Sequence, residues 1–282
     1  MGAVFVTGAT GTVGSAVVEQ LLARGQEVIA AVRGGGDGLP EEAVHRPFEF
    51  GASAAVLDAA LEGADRLFLM RPPAIADVQG QLFPVIDAAQ RRGIRQIVFL
   101  SLQGVQANRK TPHHAVEHYL RHVDAPYTSL RPNFFMQNLS TTYAREIREE
   151  GRIYVPAGRS FTAFIDARDI GRVAAAVFTE PGHERKAYTL SGEQSLTYRG
   201  VARIMTKTLG RPIDYADPDE TDYLAHLAAQ GAPQDYIDVQ RMIYRIVRLN
   251  LSAFPSKTVR RLTGAPATTF TQFVEDHRTA WD

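Results

Sequence analysis

The sequence predicts an α/β fold built on a doubly wound parallel sheet with a smaller, mostly helical C-terminal lobe, and three observations carry that expectation. Ala3-Val4-Phe5-Val6 is a short apolar run, followed by the glycine-punctuated turn Thr7-Gly8-Ala9-Thr10-Gly11-Thr12-Val13-Gly14 and by Ser15 to Arg24 at helical spacing. A second apolar run, Glu27 to Val32, follows Gly25. Beyond it strand-like and helix-like stretches keep alternating, which is the pattern of a parallel sheet with helices on both faces.

The elements follow in order. His45 to Phe50 reads as a third strand, Ser53 to Leu61 as a helix, Ala64 to Met70 as a fourth strand, Val78 to Arg92 as a helix and Gln96 to Leu100 as a fifth strand. Thr111 and Pro112 mark the start of another helix, one as cap and one in its first turn. A sixth strand ends at Leu130-Arg131-Pro132. Asp166 and Asp169 read as capping acids of a helix over Ile170 to Phe178. Asp217 to Gly231, Pro233 to Leu251, Thr258 to Leu262 and Thr271 to Trp281 read as further helices. Residues 1–150 and 163–191 are assigned to a Rossmann-type domain, and 151–162 and 192–282 to the smaller lobe, expected to bind substrate.

Composition narrows the function. The chain has 282 residues, 45% of them hydrophobic, a formal net charge of zero and no cysteine. It is long enough for a sizeable core. Its balanced charge gives no footprint for nucleic acid, and the lack of cysteine excludes disulfides, thiolate nucleophiles and cysteine-bound metal. No basic leader or bilayer-length apolar run is read, so a cytoplasmic location is expected, with a small-molecule substrate, no nucleic acid and no membrane partner; a homodimer is left open.

Strand, glycine turn and helix together are a dinucleotide fingerprint. Gly8 permits the turn, Gly11 lets backbone amides approach a pyrophosphate, and Gly14 lets the helix lie close on the strand. The amides of Thr10, Thr12 and Val13 and the helix dipole then face the phosphates. Ligands of such sheets bind beyond the carboxyl ends of the strands. That directs attention to Arg33, to Phe50-Gly51, to Met70-Arg71-Pro72-Pro73 and to Ser101. Arg33, at the tip of the second strand in the turn Arg33-Gly34-Gly35-Gly36-Asp37-Gly38, suits the 2′-phosphate of NADP(H). NAD(H) is left open.

The spacing Gly8, Gly11, Gly14 resembles the short-chain dehydrogenase/reductase family, and Val4-Phe5-Val6-Thr7-Gly8-Ala9-Thr10-Gly11 resembles its atypical NmrA-like branch, close to the NAD(P)H:quinone oxidoreductases. Ile97 to Ser101, His113-His114-Ala115-Val116-Glu117, Pro126 to Leu139, Tyr188 to Gly192 and Leu209 to Ile213 carry the same resemblance in wording and order. One departure is Glu49-Phe50-Gly51-Ala52, where family members commonly carry an Asp that contacts adenine.

The resemblance places Ser101, His113 and Glu117 where typical members have Ser, Tyr and Lys, so the standard Tyr-Lys acid is absent. His113 and Glu117 lie four apart on one helical face. Two readings stay open: His113 as general acid with Glu117 raising its pKa or orienting its ring, or an acceptor so electrophilic that no side-chain acid is needed. Backbone amides just after Pro132, at Asn133 and Phe134, are expected to hold the carboxamide where the chain turns at Pro132, with Phe134, Phe135 and Met136 walling a flat apolar pocket. His114-Ala115-Val116-Glu117-His118 matches a zinc-peptidase spacing, but the helical wheel turns His114, His118 and His122 away from the buried face, and no metal is expected. The resemblance implies an NADPH-dependent oxidoreductase acting on a quinone-like acceptor, the alternative being a non-catalytic dinucleotide sensor that regulates a protein partner.

Overall fold

In the computed structural model, which describes residues 2–36 and 38–282, the chain runs β1 (Ala3–Val6), α1 (Thr12–Ala23), β2 (Val28–Val32), β3 (Val44–Pro47), α2 (Ala54–Ala60), β4 (Ala64–Met70), α3 (Val78–Gln81), α4 (Phe83–Arg91), β5 (Gln96–Leu100), α5 (Pro112–His122) and β6 (Tyr127–Pro132). It continues through α6 (Ala144–Glu150), β7 (Arg152–Ile153), β8 (Phe161–Thr162), α7 (Ala167–Thr179), β9 (Lys186–Leu190), β10 (Leu196–Thr197), α8 (Tyr198–Leu209), β11 (Asp214–Tyr215), α9 (Glu220–Ala229), α10 (Gln234–Arg248), α11 (Thr258–Thr263) and α12 (Phe270–Asp276). Asp37, in the expected turn after the second strand, lies outside the described residues.

Seven strands form one sheet in the order β3-β2-β1-β4-β5-β6-β9, every pair parallel. β1, β2 and β5 are buried along their whole length. That is why they read as unbroken apolar runs rather than alternating ones. The order reverses between β1 and β4, so the crevice at their carboxyl ends is where this architecture accepts a ligand.

β4 and β5 have the bounds read from the sequence, but two elements differ. β3 ends at Pro47, with one further backbone bond from Phe48 N–H to Val32 O at 2.9 Å; beyond it Phe48 and Phe50 pack edge to face, 4.9 Å apart, and Phe48 does the same with Phe5. The single helix expected from Val78 to Arg92 is broken at Leu82. Pro84 has no N–H for the carbonyl four residues back, so α4 starts afresh there, while Asp77 caps α3 through Gly80 N–H at 2.9 Å.

The chain forms two compact units. The first comprises Met1–Pro132, Ala167–Leu190 and Thr258–Ala265, and the second Asn133–Asp166, Ser191–Lys257 and Pro266–Asp282. These boundaries differ from those read along the sequence. Residues 133–150 belong with the second unit, where Met136, Leu139 and Ile147 join its core. Thr258–Ala265 returns to the first, where α11 packs on α7. The second unit's core is aromatic, with Tyr223, Tyr244, Phe270, Phe273 and Trp281 all buried. Trp281 Nε1 donates to Leu139 O at 2.8 Å, which fixes the end of the chain.

A buried arginine fastens the amino-terminal edge of the sheet. Arg66 on β4 is 1% exposed; it donates to Asp65 Oδ1 (2.8 Å), Gln26 Oε1 (2.9 Å), Phe178 O (3.2 Å) and Gly2 O (2.7 Å). Burial alone would raise the Asp65 carboxyl, but hydrogen bonds from Arg95 and Arg66 outweigh it and hold the group below the usual carboxylate range. Arg66→Met strips these acceptors of their donor, and a loss of about 3–5 kcal/mol in urea unfolding is expected. A loss below about 1 kcal/mol, the range of exposed pairs, would contradict the role assigned to Arg66.

Candidate active site

The site begins where β1 ends. Thr7 N–H and Thr7 Oγ1 both donate to Phe68 O at 3.0 Å, and Met70 N–H donates to Thr7 Oγ1 at 2.9 Å, so one threonine clamps the carboxyl ends of β1 and β4 together. Gly8 then takes a left-handed φ of +63°, and a Cβ there would stand 2.3 Å from Met70 Sδ. At Gly14 a Cβ would meet Gly8 O at 2.0 Å. The tight approach that Gly14 permits is therefore to the turn's own carbonyl, not to the strand as the sequence reading had it. Gly11 caps α1 without any side-chain bond, and a Cβ on it would meet only Gly8 O, at 3.3 Å. The first amides of α1, from Thr12 and Val13 onward, are left to face an anion. Thr10 and Thr12 are exposed, and Val13 is buried beneath them.

Arg33 is exposed beyond β2, and no described residue pairs with it. After β4, the Arg71 Nη1 donates to Pro72 O (3.2 Å), Pro73 O (3.0 Å) and Ile75 O (2.6 Å), which braces its own loop. Its Nε is buried without a hydrogen-bond partner among the described residues.

Ser101 follows β5 and is buried; its N–H donates to Leu130 O at 2.7 Å, which continues the sheet by one residue. Its Oγ lies near enough to Glu117 to help lower that carboxyl, yet makes no hydrogen bond of ordinary geometry. Glu117, buried on α5, receives Arg131 Nε at 2.9 Å and Nη2 at 2.6 Å, a two-pronged pair, and Arg121 lies 3.7 Å away. Burial opposes its charge, but Arg131 wins and the carboxyl stays below its ordinary value.

His113 and Glu117 are not hydrogen-bonded to each other in this arrangement. His113 is pushed down to about 4, chiefly by burial and then by the Arg71 charge, which together exceed the opposing pull of Glu117. Both carboxylate oxygens of Glu117 are engaged by Arg131. His113 is thus a neutral imidazole at neutral pH, its Nδ1 buried and unpartnered among the described residues. Arg131 was quoted in the sequence motif but given no role; an arginine inside an otherwise uncharged strand, with a carboxylate on the preceding helix, was the available signal.

In the second unit, Asn133 is buried and bridges two segments: its Oδ1 accepts Phe134 N–H at 2.8 Å and its Nδ2 donates to Ser252 O at 2.8 Å. Phe134 N–H is therefore committed locally, which corrects its expected use for a carboxamide. Phe134 and Phe135 are half-buried. Met136 is 3% exposed inside the unit's aromatic core, which removes it as a pocket wall. Gln137 Nε2 donates to Asp166 Oδ1 at 2.8 Å, and Asp169, in the first turn of α7, pairs with Arg172. On α5, His118 and His122 are exposed and His114 is half-buried. No cluster of three or more His, Cys, Asp or Glu side chains suited to a metal occurs among the described residues.

The residues fit a nicotinamide dinucleotide. The turn is a cradle that glycine alone keeps open, and the unpartnered polar atoms of Arg71, Ser101 and His113 belong to the loops after β4 and β5 and to the first turn of α5.

Sheet order, glycine turn and switch point together define a protein of the Rossmann α/β class. Within that class the chain belongs to the NmrA-like family, whose profile matches residues 2–245. The NAD(P)H azoreductase of Xenophilus azovorans is 32% identical over 99% of both chains. The solved NADPH-dependent quinone oxidoreductase of Escherichia coli, in complex with NADPH, superposes with a TM-score of 0.84 at 28% identity, covering 97% of this chain and 99% of that one. The negative transcriptional regulator NmrA shares the fold, with a TM-score of 0.71 at 17% identity over 100% of this chain and 92% of its own.

The neutral state of His113 has a consequence for stability. The unfolded chain takes up this proton near pH 6.5, while the folded chain resists it until about 4, so acidification through that window favours unfolding. The unfolding free energy is expected to fall as pH drops from 6.5 to 4, and His113→Gln should flatten that slope by about one proton. An unchanged slope in chemical denaturation would show that His113 titrates normally.

Proposed function

We propose that this chain transfers hydride from NADPH to a flat, electrophilic acceptor, a quinone being the class best suited, without a side-chain acid. At the coarser level it is an NAD(P)H-dependent oxidoreductase of the NmrA-like family. The observation that carries the finer reading is the state of His113 and Glu117: one is a neutral base held far below its usual pKa, the other a carboxylate bound by Arg131. Neither is a proton donor at neutral pH. An acceptor such as a quinone takes hydride without prior protonation, and solvent supplies the proton afterwards. The relatives named for azo and quinone reduction support the same acceptor chemistry.

The cofactor, when bound, supplies the hydride from its nicotinamide ring. The chain's own contribution is position. Gly8 to Gly14 and the start of α1 hold the pyrophosphate, and Arg33 forks onto the 2′-phosphate. Ser101 Oγ and His113 Nδ1 offer unpartnered polar atoms to the nicotinamide half. Phe134 and Phe135 give the acceptor an apolar face, and exclusion of water keeps the transfer direct.

NADPH absorbance followed against a panel of quinones, with NADH in parallel, tests this reading. Multiple turnovers are expected, and Arg33→Ala should raise the KM for NADPH about tenfold or more while leaving that for NADH unchanged. Tight NADPH binding with no oxidation by any acceptor would refute turnover and favour a dinucleotide sensor. Equal effects of Arg33→Ala on both cofactors would remove the 2′-phosphate assignment.

A further inference from the structure

The carboxyl edge of the sheet sets three polar residues in a row. Met70 pairs with Leu100 and Leu100 with Leu130 in the parallel ladder, so Arg71, Ser101 and Arg131 come next, side by side. Neighbouring strands run about 4.8 Å apart, close enough for side chains in such a row to meet one bound group. All three, with His113 and Glu117, belong to the first unit.

The cations at this edge are not equivalent. Arg131 gives Nε and Nη2 to Glu117, and Arg121 stands 3.7 Å from the same carboxylate. Arg71 has no carboxylate partner among the described residues: Nη1 is shared by the carbonyls of Pro72, Pro73 and Ile75, and Nε–H is buried with nothing to accept it. Burial works against its charge, and no described anion offsets that cost. Its field reaches His113, where it adds to burial in keeping the imidazole neutral. A guanidinium braced on one side, with a buried charged donor left over on the other, suits an anion that arrives with a ligand.

The proposed reaction generates such an anion. The quinone takes a hydrogen with its electron pair from the C4–H bond of NADPH, which breaks to leave NADP+, and the quinone becomes a hydroquinone monoanion that solvent protonates afterwards. Neither His113 nor Glu117 supplies a proton in that step. We propose that Arg71 is a catalytic residue of the hydride transfer, its Nε–H donating to the acceptor oxygen on which the negative charge collects. The inference rests on the hydride-transfer reading and names the group that steadies its product. A guanidinium is too weak an acid to give up its proton, so Arg71 stabilises the anion without becoming the proton donor. An electron-poor quinone carries the charge largely by itself, and an electron-rich one depends on Arg71 most.

Wild type, Arg71→Met and Arg71→Lys are compared on para-benzoquinones graded from electron-poor to electron-rich. Arg71→Met should lower kcat/KM about 100-fold for the electron-rich members and far less for the electron-poor ones, with the affinity for NADP within about twofold of wild type. Arg71→Lys, which keeps the charge without the planar fork, should fall between. Added guanidinium, against sodium chloride at equal ionic strength, should restore part of the rate to Arg71→Met, which a merely structural arginine would not show. Since Arg71 also braces the turn over 72–75, a second readout uses the wild type alone. Para-nitrophenol titrated spectroscopically into the NADP-saturated protein should bind as the phenolate, ionising about one pH unit or more below its value in free solution.

An equal loss across the quinone series, or none, overturns the inference and leaves the proposed function standing; weakened NADP binding alongside an equal loss assigns Arg71 to the cofactor. Nitrophenol that fails to bind, or binds as the neutral phenol, overturns the inference even where Arg71→Met does not fold. Preferential binding of the phenolate by a protein that reduces no quinone keeps the anion site and overturns the hydride-transfer reading.

Discussion

The approach of Gly14 to the carbonyl of Gly8 is the constraint on which the rest of the first unit depends. With no room for a side chain at either residue, the chain leaves β1, reverses and enters α1 within a single tight turn. That turn aims the uncapped start of α1 at the carboxyl edge of the sheet, and Thr7 locks the same edge by holding β1 to β4. α1 then lies against α7, and the sheet is enclosed on that side. Dinucleotide binding and sheet closure thus draw on the same few atoms, so a substitution in the turn acts on both.

Charge inside the site is arranged to keep protons still. Arg131 holds Glu117 ionised by a two-pronged bond, while burial and Arg71 hold His113 neutral. Two groups that resembled an acid and its helper are thereby settled in states that do not exchange a proton near neutral pH. A hydride acceptor that stabilises its own negative charge is the chemistry consistent with such a site, since stabilisation comes from position and from exclusion of water.

Much of this was legible in the residues themselves. The glycine turn, the strand bounds of β4 and β5, and the capped start of α5 follow from local rules that tertiary contacts reinforce. What escaped the sequence were pairings between distant segments. Nothing local says that Glu117 belongs to Arg131 rather than to His113, that Met136 turns into an aromatic core, or that Asn133 ties Phe134 to Ser252. Pro84 was visible, but an apolar run on both sides concealed the break between α3 and α4. The passage from the first unit to the second at Pro132 falls directly after a strand, without any composition change to announce it.

The central claim, hydride transfer with no side-chain proton donor in the same step, is tested most directly by paired isotope effects on kcat/KM for a quinone. Deuterium at the transferred position of NADPH should slow the reaction distinctly, while deuterated solvent should leave it unchanged, and the two together should equal the cofactor effect alone. A solvent effect that appears with, and multiplies, the cofactor effect would place a proton in the transition state and contradict the account.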